Sequence, residues 1–437
     1  MSLRSVARDW VFSKNLKVLD WMVKCYLIVE ATAFSLWCRV NYALVYRRLR
    51  RKARHSKLKV MFIVSEPAKW KCQSLYEKLN QSDAFEAVVG LSAWNCQSDL
   101  SDDELDEHLK KAEAFFDRLG DRHVRTVLTH PRSFVPLTDF KPDIIFYNEQ
   151  WRPCFAQHPV VVSRFALTFF IPYYVPVFGN MFIHCQQPVE QLSYVYFTLN
   201  KDWEMMFAPC FNPITSVAKF MSLGYPALDS FSLLNKEIEN KGYVIYAPHF
   251  AIPPRSCKNK TDWQITQSTF DWNGGYILQY AKKHPEVKWI FKPHPLLRSH
   301  LAKAGFMTMR ELDDYYEEWR KIGRVCESGD YQELFLGSLA MLTDSGSFLA
   351  EYGATGKPLI HLWCTECTVD IPLPTRKLMD SFYRVTNKSE LEAALVMLVE
   401  KRDDPKSDVR RKTVAELGLT RGNAAESMVR YLTGLLR

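Results

Sequence analysis

The aromatic N-terminal segment lacks the order of a secretory signal, because charges interrupt its apolar run and no small-residue cleavage site follows. No repeat of fixed period is present, which excludes solenoids and propellers. The chain lacks an RNP motif, a zinc finger and a basic groove interleaved with aromatics, so nothing marks it for nucleic acid. Only 17 Gly and 22 Pro are present, too few for a collagen-like or low-complexity chain. The 11 Cys are odd in number and scattered from Cys25 to Cys367. A disulfide framework needs tight paired spacing, so they read as reduced thiols in a cytosolic compartment. Cys364 and Cys367 form a lone CxxC. A structural zinc site needs a second ligand pair, so this one reads as coincidence.

What is there describes a globular chain of two domains' length, with 24% charged and 14% aromatic residues. The net charge of +8 is unevenly spread. Much of it lies in Arg47, Arg48, Arg50, Arg51, Lys52, Arg54 and Lys57, just after an aromatic segment at 10–46. The most apolar window, 25–46, is long enough to span a bilayer. It carries Glu30 and Arg39, each costing about 2.5–3.5 kcal/mol at mid-bilayer. A helix lying in the interface fits better. Trp10, Trp21, Trp37 and Tyr42 suit headgroup depth, and the following cations would meet anionic lipid. The expectation is a helical membrane-associating arm over 1–57, with 10–57 as the contact. The competing reading is an arm packed on the protein body.

From Leu58 the pattern alternates between strand and helix. Leu58–Val64 and Asp143–Tyr147 are continuous apolar runs, as in buried parallel strands. A helix is expected over 69–80, a strand over 87–91 and an acidic helix over 99–118. The segment Val160–Phe211, dense in Phe, Tyr and Pro, reads as irregular strands and loops lining a cleft. A second α/β unit starts near Lys241. Its strands are expected at Gly242–Ala247, Lys288–Lys292, Leu339–Thr343 and Pro358–Leu362. Its helices are expected at 263–283, 311–322 and from Ser347. A short helix is expected at Asp330–Glu333, with Asp330 as its N-cap and Glu333 as the N3 acid. Ser389 with Glu392 reads as a capping box, and Asn423 as the N-cap of a last helix over 424–436. The domains are then 1–57, 58–235 and 236–437, with the last helix free to cross back. The fold class is α/β with parallel sheets. Ligands of such sheets bind at the carboxyl ends of the strands.

Three motifs sit at such ends. In Thr343-Asp344-Ser345-Gly346-Ser347 a strand stops and a helix begins. The free N–H groups of its first turn, with the Ser345 and Ser347 hydroxyls, form a phosphate cradle. Gly346 admits close approach of a ligand, and Glu351 lies one turn on, within reach of a ribose hydroxyl. In Lys292-Pro293-His294-Pro295 the prolines hold an imidazole beside Lys292 and Arg298, suited to a diphosphate. Tyr246-Ala247-Pro248-His249 repeats the strand–Pro–His order, with Arg255 nearby. A capped helix start, a surface turn and a structural histidine are the bland readings of the three.

Together these residues resemble a family. The KPHP run, Gly329–Phe335, TDSGSFLAEY and a trailing Gly356-Lys357-Pro358 are similar to the C-terminal half of the CDP-glycerol glycerophosphotransferases, the teichoic-acid primases and polymerases. Lys141–Tyr147 and Phe170–Pro176 are similar to members that build capsule and other surface polymers. The resemblance spans roughly 140–400. It implies a GT-B fold, two Rossmann-like domains around a cleft, on the cytoplasmic face of the bacterial inner membrane. It implies transfer of glycerol phosphate, or a related polyol phosphate, from CDP-glycerol to a hydroxyl of a lipid-linked or polymer acceptor, with release of CMP.

Carried over residue by residue, His294 and Asp344 are the catalytic candidates. His249, Lys292, Arg298, Ser345, Gly346, Ser347 and Glu351 are the donor-binding ones. The family's first-domain WHGT-like motif is missing. The matching stretch reads Pro172-Tyr173-Tyr174-Val175-Pro176, which leaves Tyr173 as the catalytic candidate there, with Tyr174 or His184 as alternatives. No cofactor is called for. Mg²⁺ stays open, since one or two carboxylates plus donor phosphates would hold it. Two rival readings remain. One is a GT-B glycosyltransferase using a CMP- or UDP-linked sugar in capsule or lipopolysaccharide synthesis. The other is a non-catalytic membrane-associated nucleotide-binding protein. Oligomeric state is left open.

Overall fold

The computed structural model of the chain describes residues 17–93, 100–150, 153–178, 187–234, 239–253, 256, 267–327, 331–366 and 371–436, with backbone alone at 17–26 and 232–234. Fifteen strands are found among them. β1 (Leu58–Val64), β2 (Phe85–Leu91) and β3 (His123–Arg125) open the first sheet, and β4 (Val127–Thr129) pairs with β5 (Arg132–Phe134) in a separate hairpin. β6 (Ile144–Tyr147), β7 (Leu167–Phe170), β8 (Val195–Thr198) and β9 (Lys219–Ser222) complete the first sheet. Its order is β3-β2-β1-β6-β7-β8-β9, with every pairing parallel. β6 is apolar throughout, and β1 is apolar but for the exposed Lys59, because helices cover both sheet faces. Phe62, Phe146, Phe169 and Phe197 stack across four adjacent strands, with ring centroids 4.8, 5.3 and 5.9 Å apart. The 160–211 segment supplies the expected strands, and two of them are buried interior strands of the sheet, because the apolar runs at 167–170 and 195–198 bury both faces.

The second sheet runs β12-β11-β10-β13-β14-β15, again all parallel. Here β10 is Tyr243–Ala247, β11 Trp289–Phe291, β12 Arg324–Val325, β13 Ser338–Thr343, β14 Leu359–Leu362 and β15 Tyr383–Val385. Its main helices are Phe270–Lys283, Met309–Ile322 and Gly346–Gly353. A short helix follows the Tyr331 region at Gln332–Gly337, with no side-chain cap from Tyr331, while Asp330 lies outside the described residues. Two caps differ from expectation. The helix Lys388–Leu395 is capped by Asn387, which accepts from the Glu390 amide, and not by Ser389 with Glu392. Helix Ala424–Leu436 has its first amides, Ala424 N and Ala425 N, donated to the Asp229 carboxylate at 2.9 and 2.8 Å in place of an Asn423 cap. That contact joins the last helix to the helix Pro226–Leu234. Tyr431 adds an edge contact to Phe197, so the chain end returns to the first sheet.

Helix Lys17–Lys52 packs on the first sheet's domain along one stripe. Cys38, Tyr42, Val45 and Leu49, at helical spacing, are buried. Tyr42 shares a 2.5 Å hydrogen bond with Thr168 and donates to the Leu192 carbonyl at 2.8 Å. Arg39 donates to the Pro213 and Ser216 carbonyls, and Lys52 pairs with Asp143 at 2.6 Å. Tyr42, expected at headgroup depth, thus belongs to the core, and the side chains of Trp10 and Trp21 lie outside the described ones. The opposite side is different. Ile28, Val29, Leu36, Trp37, Val40 and Leu44 are 49–67% exposed. Among the described residues no helix is long and apolar enough to cross a membrane.

Candidate functional site

Parallel sheets bind ligands where neighbouring strands send their connections to opposite faces. In the second sheet that point lies between β10 and β13, whose carboxyl ends deliver His249 and Asp344. Asp344 is buried. One of its oxygens accepts the His249 amide at 2.5 Å, and the other accepts the Thr269 amide at 2.7 Å and hydroxyl at 3.1 Å. Burial pushes its carboxyl up to about 6, against the pull of those bonds. With both oxygens taken, Asp344 clamps the two switch-point turns to the start of helix Phe270–Lys283. The sequence reading placed it among the reacting groups.

The imidazoles lie close together. His249 and His294 ring centroids are 5.3 Å apart, and Phe250 fills the space beside them. Each Nδ1 accepts a backbone N–H two residues on, from Ala251 and Leu296, both at 3.1 Å. The ring proton is therefore on Nε2 in both. Burial lowers His249 to about 3 and His294 to about 4, with the neighbouring histidines adding to the effect. At neutral pH both are uncharged. His294, expected beside a diphosphate, offers an Nε2–H donor there, and a fixed positive charge comes from a neighbour.

Lys292 supplies it. It is 91% buried, and among the described residues it has no ion pair. Burial holds its ammonium below the usual range. Ser345 precedes the helix Gly346–Gly353 without capping it. Its hydroxyl lies 3.1 Å from that of Ser347, leaving the first-turn amides without a side-chain cap. Gly346 has a role other than the expected approach of a ligand. A Cβ there would lie 2.4 Å from the Phe178 ring and 3.3 Å from Val177, so the first domain itself comes close at this point. Thr375 donates to the Val177 carbonyl alongside. Arg298 is drawn away from the cradle into an ion pair with Asp313, its guanidinium 5.7 Å from the Tyr316 ring. Arg255, Cys367 and His184 lie outside the described residues.

The first domain contributes residues that the sequence reading passed over. Its switch point, between β1 and β6, presents Ser65 and Glu149. Glu149 is fully buried. It accepts from the Ser65 hydroxyl and pairs with Lys69 at 2.7 Å, while Lys69 also meets Glu66 at 3.2 Å. Burial raises the Glu149 carboxyl, and Lys69 opposes that. Tyr173 stands over this pair, 5.8 Å from the Lys69 ammonium, with its amide bonded to the Asn148 carbonyl. Across the cleft, Lys71 donates to the Tyr331 phenol, which donates to Glu351. Glu351, expected to reach a ribose, is thus turned to Tyr331. A sequence signal for Ser65 and Glu149 existed, since both directly follow buried strands at a switch point. None existed for the pairing of Lys71 with Tyr331, 260 positions apart. The cleft carboxylates Asp344, Glu351 and Glu149 are all engaged by donors. Among the described residues no group of three His, Cys, Asp or Glu is set to hold a metal.

No protein-family model and no curated protein matches the chain. Solved structures do. UDP-GlcNAc 2-epimerase from Neisseria meningitidis, bound to UDP-GlcNAc, aligns over 86% of this chain and 99% of its own, with a TM-score of 0.54 at 15% identity. The Methanocaldococcus jannaschii UDP-GlcNAc 2-epimerase, in complex with UDP-GlcNAc and UDP, covers the same shares with a TM-score of 0.51 at 15% identity. The wall teichoic acid polymerase TagF aligns over 93% of this chain and 97% of its own, with a TM-score of 0.50 at 11% identity. These likenesses define the class by fold: two parallel-sheet domains around a cleft, on the GT-B plan.

Proposed function

We propose that the protein is a transferase that moves glycerol phosphate, or a related polyol phosphate, from a CDP-linked donor to a hydroxyl of a membrane-linked surface-polymer acceptor. The observation that carries this reading is Lys292, a nearly buried cation without an ion pair among the described residues, in the cleft domain that holds an uncapped helix start. A buried charge of this kind is costly until an anion arrives. A diphosphate supplies one. The acceptor oxygen attacks the polyol-bearing phosphorus, forming one O–P bond. The bond from that phosphorus to the bridging oxygen breaks, and CMP leaves with that oxygen. The hydroxyl proton passes to a cleft base, for which the Tyr173–Lys69–Glu149 group is the candidate, while neutral His294 donates its Nε2–H to a phosphate oxygen. Lys292 and the helix start stabilise charge on the phosphates.

Membrane attachment belongs to the same reading. On helix Lys17–Lys52, Val29, Leu36, Val40 and Leu44 share one line with Arg47 and Arg51, and Arg54 follows the helix end. An apolar stripe running into cations suits the cytoplasmic face of an anionic bilayer, where it would hold the enzyme beside its acceptor. The test is incubation with membranes and a panel of CDP-polyols and nucleotide sugars, reading the released nucleotide. CMP from a CDP-polyol supports the proposal. UDP, or CMP from a sugar nucleotide, assigns a glycosyltransferase. Binding without turnover of any donor assigns a non-catalytic protein.

A further inference from the structure

Two lysines from different domains flank one tyrosine ring. Lys71, in the connection after β1, has its ammonium 4.2 Å from the Tyr331 centroid and hydrogen-bonds the phenol oxygen. Lys292, directly after β11, stands 5.6 Å from the same centroid. The phenol donates its own hydrogen bond to Glu351, which is buried on the helix that begins at Gly346. Two ammonium groups from opposite domains thus converge on one phenol and the carboxylate behind it. Lys69, two residues before Lys71, is matched by Glu149 and Glu66. Lys292 has no such match among the described residues. Positive charge is thus gathered from both sides of the cleft. At the mouth of the same helix the first domain is already seated, with Phe178 against Gly346 and the Val177 carbonyl on Thr375.

We propose that Lys71 completes the nucleoside-diphosphate site. Lys292 and the first turn of helix Gly346–Gly353 take one phosphate, and Lys71 leaves Tyr331 to take the other, so the site is whole only when the two domains meet. Tyr331 holds Lys71 in place until the diphosphate arrives and separates it from Glu351. An ammonium fixed on a flexible stem makes this exchange by rotamer change alone. The proposal rests on reading the cleft as a donor site, but it does not depend on which group is transferred.

The test uses the full chain and calorimetric titration with CDP, UDP and CMP. Lys71→Met is expected to weaken CDP binding at least tenfold and CMP binding less than threefold, since a lost charge-assisted contact acts on the second phosphate. Lys71→Arg is expected to restore most of the CDP affinity. Lys71 is partly buried at the cleft and outside the apolar core, so cooperative thermal unfolding of both variants checks the fold. Three results overturn the inference: CDP affinity of Lys71→Met within threefold of the unmodified protein, equal losses for CMP and CDP, or a fold lost in both variants. If the unmodified protein binds neither CDP nor UDP, the donor-site reading itself fails, and this one fails with it.

Discussion

At the scale of single residues, burial sets the chemistry. Lys292 is held in a low-dielectric site with its charged form disfavoured. Lys292→Met should therefore raise or preserve thermal stability, by about 1 kcal/mol, while donor affinity falls at least tenfold. Thermal unfolding and CDP titration on one preparation check both signs; a loss of stability would make Lys292 a structural residue. His361 on β14 carries the opposite sign of lesson. It is buried, its Nδ1 has no partner, and burial lowers it to about 3. Between pH 6.5 and 3 the unfolded chain takes a proton there and the folded chain does not. Stability from this group is full above pH 6.5 and is lost as pH falls. His361→Gln removes the dependence, so the variant should gain about 2 kcal/mol on the parent between pH 7 and pH 5, measured by urea unfolding. The motif residues were legible in the sequence, yet their roles were not. Asp344 reads as an acid next to a phosphate cradle, and only its three donors, from His249 and Thr269, make it a clamp. Arg298 reads as a phosphate ligand until Asp313 on a neighbouring helix claims it.

At the scale of elements, period and apolar run length carried most of the information. β1 falls at Leu58–Val64 as expected, and β10, β11, β13 and β14 fall within a residue or two of expectation. Capping was less legible. The amides at Ala424 and Ala425 are satisfied by Asp229, distant in sequence, and no local pattern announces that. Helix Lys17–Lys52 has two faces of which the sequence revealed one character, apolar all round. The packed face is Cys38, Tyr42, Val45 and Leu49, and the exposed one includes Leu36 and Val40. Leu36→Glu with Val40→Glu should leave unfolding within about 0.5 kcal/mol of the parent, because both side chains face water. The same pair should abolish flotation with vesicles rich in anionic lipid. Undiminished flotation would remove the helix from the membrane contact.

At the scale of the molecule, the N-terminal helix is part of the first domain and not an appendage. Deleting residues 1–57 strips the buried stripe from the sheet and leaves Thr168 and the Leu192 carbonyl without Tyr42. The lost burial is on the order of 5–10 kcal/mol, as large as the stability of a typical domain. The truncated chain should therefore aggregate rather than appear as a soluble, membrane-free enzyme, a difference that gel filtration and circular dichroism resolve. The two sheets are likewise joined at several points: Lys71 to Tyr331, Val177 to Thr375, Phe178 to Gly346. Those contacts decide what the cleft can bind, because they bring cations from both domains to one helix start.

The sequence by itself determined the two parallel sheets, their central strands and the turns that carry Lys292, His294, His249 and Asp344. Alternation of apolar runs and helical periods is a local property, and it survives translation into structure. The α/β class and the basic run after the aromatic segment were readable on the same grounds. Only the tertiary structure decided which side of helix Lys17–Lys52 is core, that Gly346 accommodates Phe178, and that Lys71, Tyr331 and Glu351 meet. Each of those depends on residues far apart in the chain. Burial, and with it the charge state of every group in the cleft, arises only when the two domains come together.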